Sequence, residues 1–171
     1  HCKPIYVNLH MEEKMKILCM GDVFGSKGVR YAAKHIREVC LKEKIDLVIA
    51  NIENSDINGK GPSVGAIETL GDAGANVFTG GNHSFANRSF YAKYSVYSNC
   101  IRPLNFPSGA PGRGYYVVEI NEELVVAVLN VQLRVFMLEL VDCPIRTTES
   151  VMSLIKSIYK GKKICFVIDL H

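Results

Sequence analysis

The stretch DLVIANIEN, residues 46–54, is typical of a strand buried in a parallel sheet, because an apolar run ends abruptly in a polar pair, Glu53 and Asn54. Three further segments share this arrangement: KILCMGD (16–22), NVFTGGNH (76–83) and KICFVIDLH (163–171). Parallel strands bring their carboxyl ends to one edge of a sheet. We therefore expect the polar endings to meet there, namely Asp22, Glu53 with Asn54, Asn82 with His83, and Asp169 with His171.

The segments between these strands show helical periodicity. Apolar side chains recur at intervals of three and four residues from Val29 to Cys40, after a polar loop over 22–28, and again from Val64 to Leu70. A weaker helix is predicted over 87–98, and a last one over 151–158 with Thr147 or Thr148 near its N-cap. The runs 115–120 and 124–130 predict a hairpin. This order predicts an α/β fold built in layers.

The length of 171 residues corresponds to about one domain. Neither an internal repeat nor a linker interrupts it. We expect residues 1–14, before Met15, to be a leader outside the fold, and residues 15–171 to form the domain. The last predicted strand has no covering element after it, so the domain is expected to be incomplete at its C-terminal end.

Composition excludes several classes of protein. A net charge of +3 with no strong basic patch argues against a nucleic-acid footprint. Apolar runs such as 124–129 are far shorter than the ~18 residues that cross a bilayer, and residues 1–14 lack the apolar core of a secretory signal. The six cysteines form no C-x-x-C pair. Free thiols and a cytoplasmic location are therefore predicted.

The chemistry of the four polar endings suits divalent cations. Carboxylates, carboxamides and imidazoles without thiolates are the ligands of manganese, iron, magnesium or zinc. The sequence thus predicts a hydrolytic site with two metal ions. Each residue alone has a simpler explanation: Asp22 could cap a helix, Asn82 could occupy a left-handed turn, and His83 could be a surface histidine. The repetition at four strand ends favours the site.

A competing motif is Gly61-Pro62-Ser63-Val64-Gly65, which matches the G-x-S-x-G elbow of serine hydrolases. That elbow needs a strand leading directly into the serine, whereas a polar loop precedes Gly61 here. Lys60 is followed by glycine rather than Ser or Thr, and the glycines do not spell G-x-G-x-x-G. Nucleotide binding by a P-loop or Rossmann motif is therefore disfavoured.

The motifs, taken together, resemble a known family. In order and spacing they are similar to the YmdB-like branch of the calcineurin-like metallophosphoesterases, bacterial enzymes that hydrolyse cyclic nucleotides such as 2′,3′-cyclic AMP. The matching strings run from about Met15 to His171: GDVFG (21–25), IEN (52–54), GNHS (81–84), RPLNFP (102–107), PGRG (111–114) and IDLH (168–171). Phe24 and Glu53 stand where most of the superfamily carries His and Asp, as is typical of this branch.

The resemblance implies a fold, a reaction and a ligand set. The fold is an α-β-β-α sandwich, and the reaction is hydrolysis of a small phosphoester or cyclic nucleotide. Two divalent cations are implied, manganese or iron ahead of magnesium or zinc. Asp22 and Asn54 would bind one metal, Glu53 would bridge both, Asn82 and His171 would bind the other, and His83 would be the general acid.

The resemblance also implies a later G-x-H-x-H segment that gives each metal one more ligand, and residues 1–171 do not contain it. Weak metal binding and little turnover are therefore expected of these residues alone. The alternatives are a non-catalytic scaffold or binding module of the same fold, and a serine hydrolase that uses Ser63. A homo-oligomer is left open.

Overall fold

The computed structural model describes residues 15–171, so the predicted leader over 1–14 lies outside the described residues. Seven strands and three α-helices follow one another along the chain, with a 3-10 helix at Arg88–Ser95. The order is β1 (Ile17–Met20), α1 (Gly25–Glu43), β2 (Leu47–Asn51), α2 (Val64–Ala73), β3 (Val77–Thr79), β4 (Cys100–Ile101), β5 (Tyr115–Glu119), β6 (Leu124–Val131), α3 (Pro144–Ile158) and β7 (Lys163–Leu170).

The first sheet is wholly parallel, with strand order β1-β2-β3-β4. Every residue of β2 is buried, as its apolar sequence predicts for a strand covered on both faces. Helices α1 and α2 connect the first three strands and pack on one face of this sheet, through buried side chains such as Ile36 and Leu70. The carboxyl ends of the strands consequently share one edge.

The second sheet has strand order β5-β6-β7. The hairpin predicted from 115–130 is present as antiparallel β5 and β6, and β7 returns through α3 to pair in parallel with β6. All eight residues of β6 are buried. The parallel pairing gives β6 and β7 a common direction, and β7 ends directly before His171.

The two sheets pack face to face and the helices cover the outside. Side chains from both sheets form the middle layer, including Ile49 and Val77 from the first sheet and Val126 and Val128 from the second. Ile155 of α3 packs on the other face of the second sheet beside Leu129. The predicted α-β-β-α sandwich is therefore confirmed.

Two predicted helix starts and one predicted helix type were wrong. Helix α1 begins at Gly25, not after Gly28, because Gly25 adopts φ +58 and turns the chain directly into the helix. Helix α3 begins at Pro144, whose fixed φ suits a first helical turn, and the Thr147 hydroxyl donates to the Cys143 carbonyl rather than capping the helix. The weaker helix predicted over 87–98 is a 3-10 helix.

Two further properties concern the described part of the chain. No helix within residues 15–171 is long and apolar enough to cross a membrane. The cysteines that the structure describes, Cys19, Cys40, Cys100, Cys143 and Cys165, are free, as predicted.

Candidate functional site

The polar strand endings lie together where the carboxyl ends of both sheets meet. Asp22 follows β1, Glu53 and Asn54 follow β2, and Asn82 and His83 follow β3. His171 comes from the second sheet, directly after β7. Side-chain contacts join these six residues into one cluster, which is the convergence that their positions in the sequence predict.

Glu53 is at the centre of the cluster and is 2% exposed. Its Oε1 atom lies 2.9 Å from Nε2 of His171, and its Oε2 atom accepts a hydrogen bond of 3.1 Å from the backbone N–H of His83. Burial raises the pKa of Glu53, but the hydrogen bonds and charges of His171 and His83 outweigh burial and leave it below its ordinary value. A buried carboxylate is thereby kept ionised.

His171 pairs with this carboxylate. The hydrogen bond to Glu53 raises the pKa of the imidazole, against the opposing effect of burial. Nε2 of His171 also lies 3.1 Å from Oδ1 of Asn82. The same nitrogen therefore faces one carboxylate oxygen and one amide oxygen, so side-chain atoms from both sheets meet at this point.

Asn54 connects the other half of the cluster. Its Nδ2 donates to Oδ1 of Asp22 at 2.9 Å and to Oε1 of Glu53 at 3.1 Å. Its Oδ1 lies 2.7 Å from Nδ1 of His83. Asp22 is exposed and lines a cavity of about 790 Å³ between β1 and α1, so its carboxylate is open to solvent.

Two glycines leave room for these side chains. A Cβ at Gly81 would collide with Oε2 of Glu53 and would lie 2.7 Å from Cδ2 of His171. A Cβ at Gly80 would collide with Oγ of Ser84, whose hydroxyl donates to the Gly81 carbonyl at 2.7 Å. The Gly80–Gly81 turn can therefore be this close to Glu53 only because it has no side chains.

A buried polar network supports the turn. Asp169, which was expected among the polar strand endings, lies in this network and not in the six-residue cluster, whereas Asn51, Thr79 and Asn130 were not predicted. Oδ2 of Asp169 accepts hydrogen bonds from Nδ2 of Asn51, at 3.0 Å, and from Oγ1 of Thr79. Asn130 on β6 donates to the Gly80 carbonyl at 3.1 Å and accepts from the Gly80 N–H at 3.3 Å. An asparagine within an apolar strand run is a signal that could have identified this network, because a buried amide needs partners.

Ser63 does not meet the structural requirement of a serine-hydrolase nucleophile, so that alternative is wrong. Ser63 is the N-cap of α2, and its hydroxyl accepts a hydrogen bond of 3.2 Å from the Ala66 N–H. The residues before it form a loop rather than a strand. Ser63 therefore has a complete structural role and is not on a nucleophile elbow.

The donor atoms of the cluster are oxygen and imidazole nitrogen. Within residues 15–171, no group of three or more His, Cys, Asp and Glu side chains is arranged so that it could hold a metal ion by itself. Asparagine oxygens complete the set, and amide and carboxylate oxygens together with an imidazole are suitable ligands for a divalent cation.

Comparison with known proteins gives a consistent result. The sequence profile of the family described as YmdB-like protein matches residues 18–171. A 2′,3′-cyclic-nucleotide 2′-phosphodiesterase of Bacillus subtilis is 34% identical over 143 residues, which are 83% of this chain and 53% of that protein.

Solved structures are similar as well. The crystal structure of a novel phosphatase from Mycoplasma pneumoniae matches with a TM-score of 0.77 at 25% identity, over 94% of this chain and 57% of that one. A hypothetical protein from Thermus thermophilus matches with a TM-score of 0.75 at 28% identity, over 91% of this chain and 57% of that one. The chain thus spans little more than half the length of the relatives it matches. On the family profile and the 34% identity, this chain belongs to the YmdB-like protein family.

Proposed function

We propose that this chain carries active-site residues of a phosphodiesterase that hydrolyses cyclic nucleotides or related small phosphoesters in the cytoplasm. One observation carries the proposal: six side chains from four strand ends form a single contact cluster in a member of the YmdB-like family. The Bacillus subtilis relative, named as a cyclic-nucleotide phosphodiesterase, supports the substrate class.

The cluster fits divalent cations. Ligand atoms bound at about 2.1 Å to one octahedral cation lie about 3 Å from each other. The distances from Nε2 of His171 to Glu53 Oε1 and Asn82 Oδ1 are 2.9 and 3.1 Å. We assign Asp22 and Asn54 to one metal ion, Asn82 and His171 to a second, and Glu53 to both. Manganese or iron is our first expectation, with magnesium or zinc as alternatives. When bound, the cations would neutralise phosphoryl charge and acidify a water for attack.

The amide of Asn54 provides a second indication. Its Nδ2 atom lies between two carboxylate oxygens, at 2.9 Å from Asp22 and 3.1 Å from Glu53. A half-turn of the amide would direct Oδ1 to that point and direct the NH₂ group to His83. In this structure the Nδ2 donor points between the two carboxylates. With the amide turned, oxygens of Asp22, Glu53 and Asn54 would face one another there and could hold a cation.

His83 is placed to act as the general acid. Its side chain is 34% exposed, so a substrate can reach it. Nδ1 lies 2.7 Å from the side-chain amide of Asn54, and this contact orients the ring. With the amide turned so that its oxygen faces the cation, the NH₂ group donates to Nδ1, and the proton that His83 can transfer is on Nε2. An imidazole in this position can give a proton to the leaving oxygen.

The test is metal-dependent hydrolysis of bis-p-nitrophenyl phosphate and of 2′,3′-cyclic AMP. His83→Ala should lower kcat about 10²- to 10⁴-fold with metal binding retained. Asn82→Ala should weaken manganese binding about 10- to 100-fold. His35→Ala is the matched control, since His35 is a half-buried histidine of α1 whose Nδ1 contacts the Tyr31 carbonyl and which is outside the six-residue cluster. Equal hydrolysis by all three variants would refute the assignment.

For a polypeptide of residues 1–171 alone we expect weak metal binding and slow turnover, because the family's G-x-H-x-H ligands lie outside these residues. Calorimetry that shows tight binding of two manganese ions, together with rapid cleavage, would contradict this expectation. Complete absence of metal-dependent hydrolysis at saturating manganese would favour the scaffold alternative over an enzyme.

A further inference from the structure

A second cavity, of about 380 Å³, has mainly aromatic and apolar walls, unlike the polar cluster of Asp22, Glu53, Asn54, Asn82, His83 and His171. Three aromatic side chains, Phe85, Tyr91 and Phe106, line it together with Glu139 and the apolar residues around it. Cavities of about 300 Å³ and more are large enough for small ligands, and such ligands are held by apolar walls with a few polar groups.

Two segments that line this cavity are attached to the candidate catalytic residues. Phe85 is two residues after His83, so their Cα atoms are at most about 7 Å apart. The loop that carries Glu139 begins at Leu133, whose N–H donates to the His171 carbonyl at 2.7 Å. A ligand in the cavity would therefore contact Phe85, whose Cα atom is within about 7 Å of the Cα atom of His83.

The walls are held in place before any ligand binds. The Phe85 ring lies 5.1 Å from the Tyr91 ring and 5.6 Å from the Phe106 ring, measured between centroids. The buried Asn105 side chain donates to the carbonyls of Gln132 and Asp142, at 2.8 and 3.0 Å. It thereby ties the segment that carries Phe106 to both ends of the Glu139 loop.

Glu139 is the charged group of the cavity. Its Oε2 atom accepts a hydrogen bond of 3.2 Å from Nε2 of the buried Gln132. This contact orients the carboxylate and leaves Oε1 and the second lone pair of Oε2 available as acceptors. A carboxylate accepts hydrogen bonds and cannot donate them, so the complementary ligand presents N–H donors next to a flat apolar face.

We propose that this cavity binds the nucleobase of the phosphoester substrate, with the base against the Phe85–Tyr91–Phe106 wall and Glu139 selecting bases that present N–H donors. Guanine fits best, because its N1–H and N2 amino group are adjacent donors that one carboxylate can accept together. The inference rests on the proposed function and specifies its substrate.

The experiment measures binding by calorimetry in EDTA, where no metal-dependent hydrolysis occurs. Guanosine 5′-monophosphate, inosine 5′-monophosphate and ribose 5-phosphate are compared. Tyr91→Ala should weaken guanosine monophosphate binding about 5- to 150-fold, the effect of losing one stacking side chain. Glu139→Gln, which keeps the shape of the side chain, should weaken it about 10-fold or more and remove the preference over inosine monophosphate, which lacks the N2 amino group.

Matched controls lie elsewhere on the surface. Tyr31→Ala removes an exposed tyrosine of α1, and Glu122→Gln neutralises an exposed glutamate of the β5–β6 turn. Neither should change binding. The proposal is overturned if guanosine monophosphate binds no better than ribose 5-phosphate, or if the control variants weaken binding as much as Tyr91→Ala and Glu139→Gln. Base binding without any metal-dependent hydrolysis would refute the proposed function alone, and hydrolysis without base preference would refute this inference alone.

Discussion

Adding one methyl group at Gly81 tests the geometry of the cluster directly. In Gly81→Ala the new Cβ would collide with Oε2 of Glu53 and lie 2.7 Å from Cδ2 of His171. Glu53 is 2% exposed and is held by three neighbours, so it cannot move away without breaking hydrogen bonds. Overpacking of this kind costs about 1–3 kcal/mol of unfolding free energy. For a domain of this size, each kcal/mol lowers Tm by about 2–4 °C.

The assay is urea unfolding of metal-free protein, with Gly65→Ala as the matched substitution. Gly65 lies in the first turn of α2 with nothing within 4 Å of an added Cβ, so alanine there should increase stability by about 0.5–1 kcal/mol. The same chemical change should thus have opposite signs at the two positions. With manganese present, only Gly81→Ala should weaken metal binding, by about 10-fold or more. A Gly81→Ala protein as stable as the wild type would refute the packing argument.

Three further predictions concern a helix cap, the buried network and the cysteines. Ser63→Ala should lower stability by about 0.5–2 kcal/mol in thermal unfolding through loss of a helix cap, and the wild type should form no adduct at Ser63 with a fluorophosphonate probe; an adduct would contradict the N-cap role. Asn130→Ala should cost about 1–3 kcal/mol in urea unfolding, since Gly80 loses its buried partners; an unchanged midpoint would show the network to be dispensable. Among the described cysteines, Cys143 should react first with iodoacetamide and Cys100 last in peptide mass spectrometry of a Cys2→Ser variant. Hydrogen bonds from the Arg146 backbone lower the pKa of Cys143 and so increase its thiolate fraction below about pH 8, whereas burial raises the pKa of Cys100; the reverse order would contradict this.

Local patterns were sufficient for much of the fold. The apolar run at 46–52 predicts a buried strand, and β2 is buried at every residue. Gly71 and Gly74 after the 64–70 pattern predict the end of α2; Gly71 lies within the helix, and Gly74 ends it at φ +117. Patterns were insufficient at Thr147 and Thr148, because a threonine side chain can satisfy the carbonyl four residues earlier as well as cap a helix. Propensity alone cannot distinguish these two uses.

For the candidate site, too, local sequence predicted one part and not the other. Residue types at the strand ends indicated which side chains to expect, Asp169 among them, but Asn130 and the supporting role of Asp169 were not predicted. Both acquire their roles only when β6 pairs with β7 and both strands approach the Gly80 turn. Their partners come from the other sheet. No spacing along one segment indicates such a contact.

By itself, the sequence determined most of the elements, their order and the chemistry of each strand end, because those depend on neighbours a few residues away. It did not predict the short strand β4, whose two residues pair with β3. Only the tertiary structure decided that Nε2 of His171 lies 3.1 Å from Oδ1 of Asn82 across 89 residues of chain, and that Phe85, Tyr91, Phe106 and Glu139 line one cavity. The physical reason is that these distances depend on the register of β6 with β7 and on how the two sheets pack, and both are set by contacts summed over the whole core.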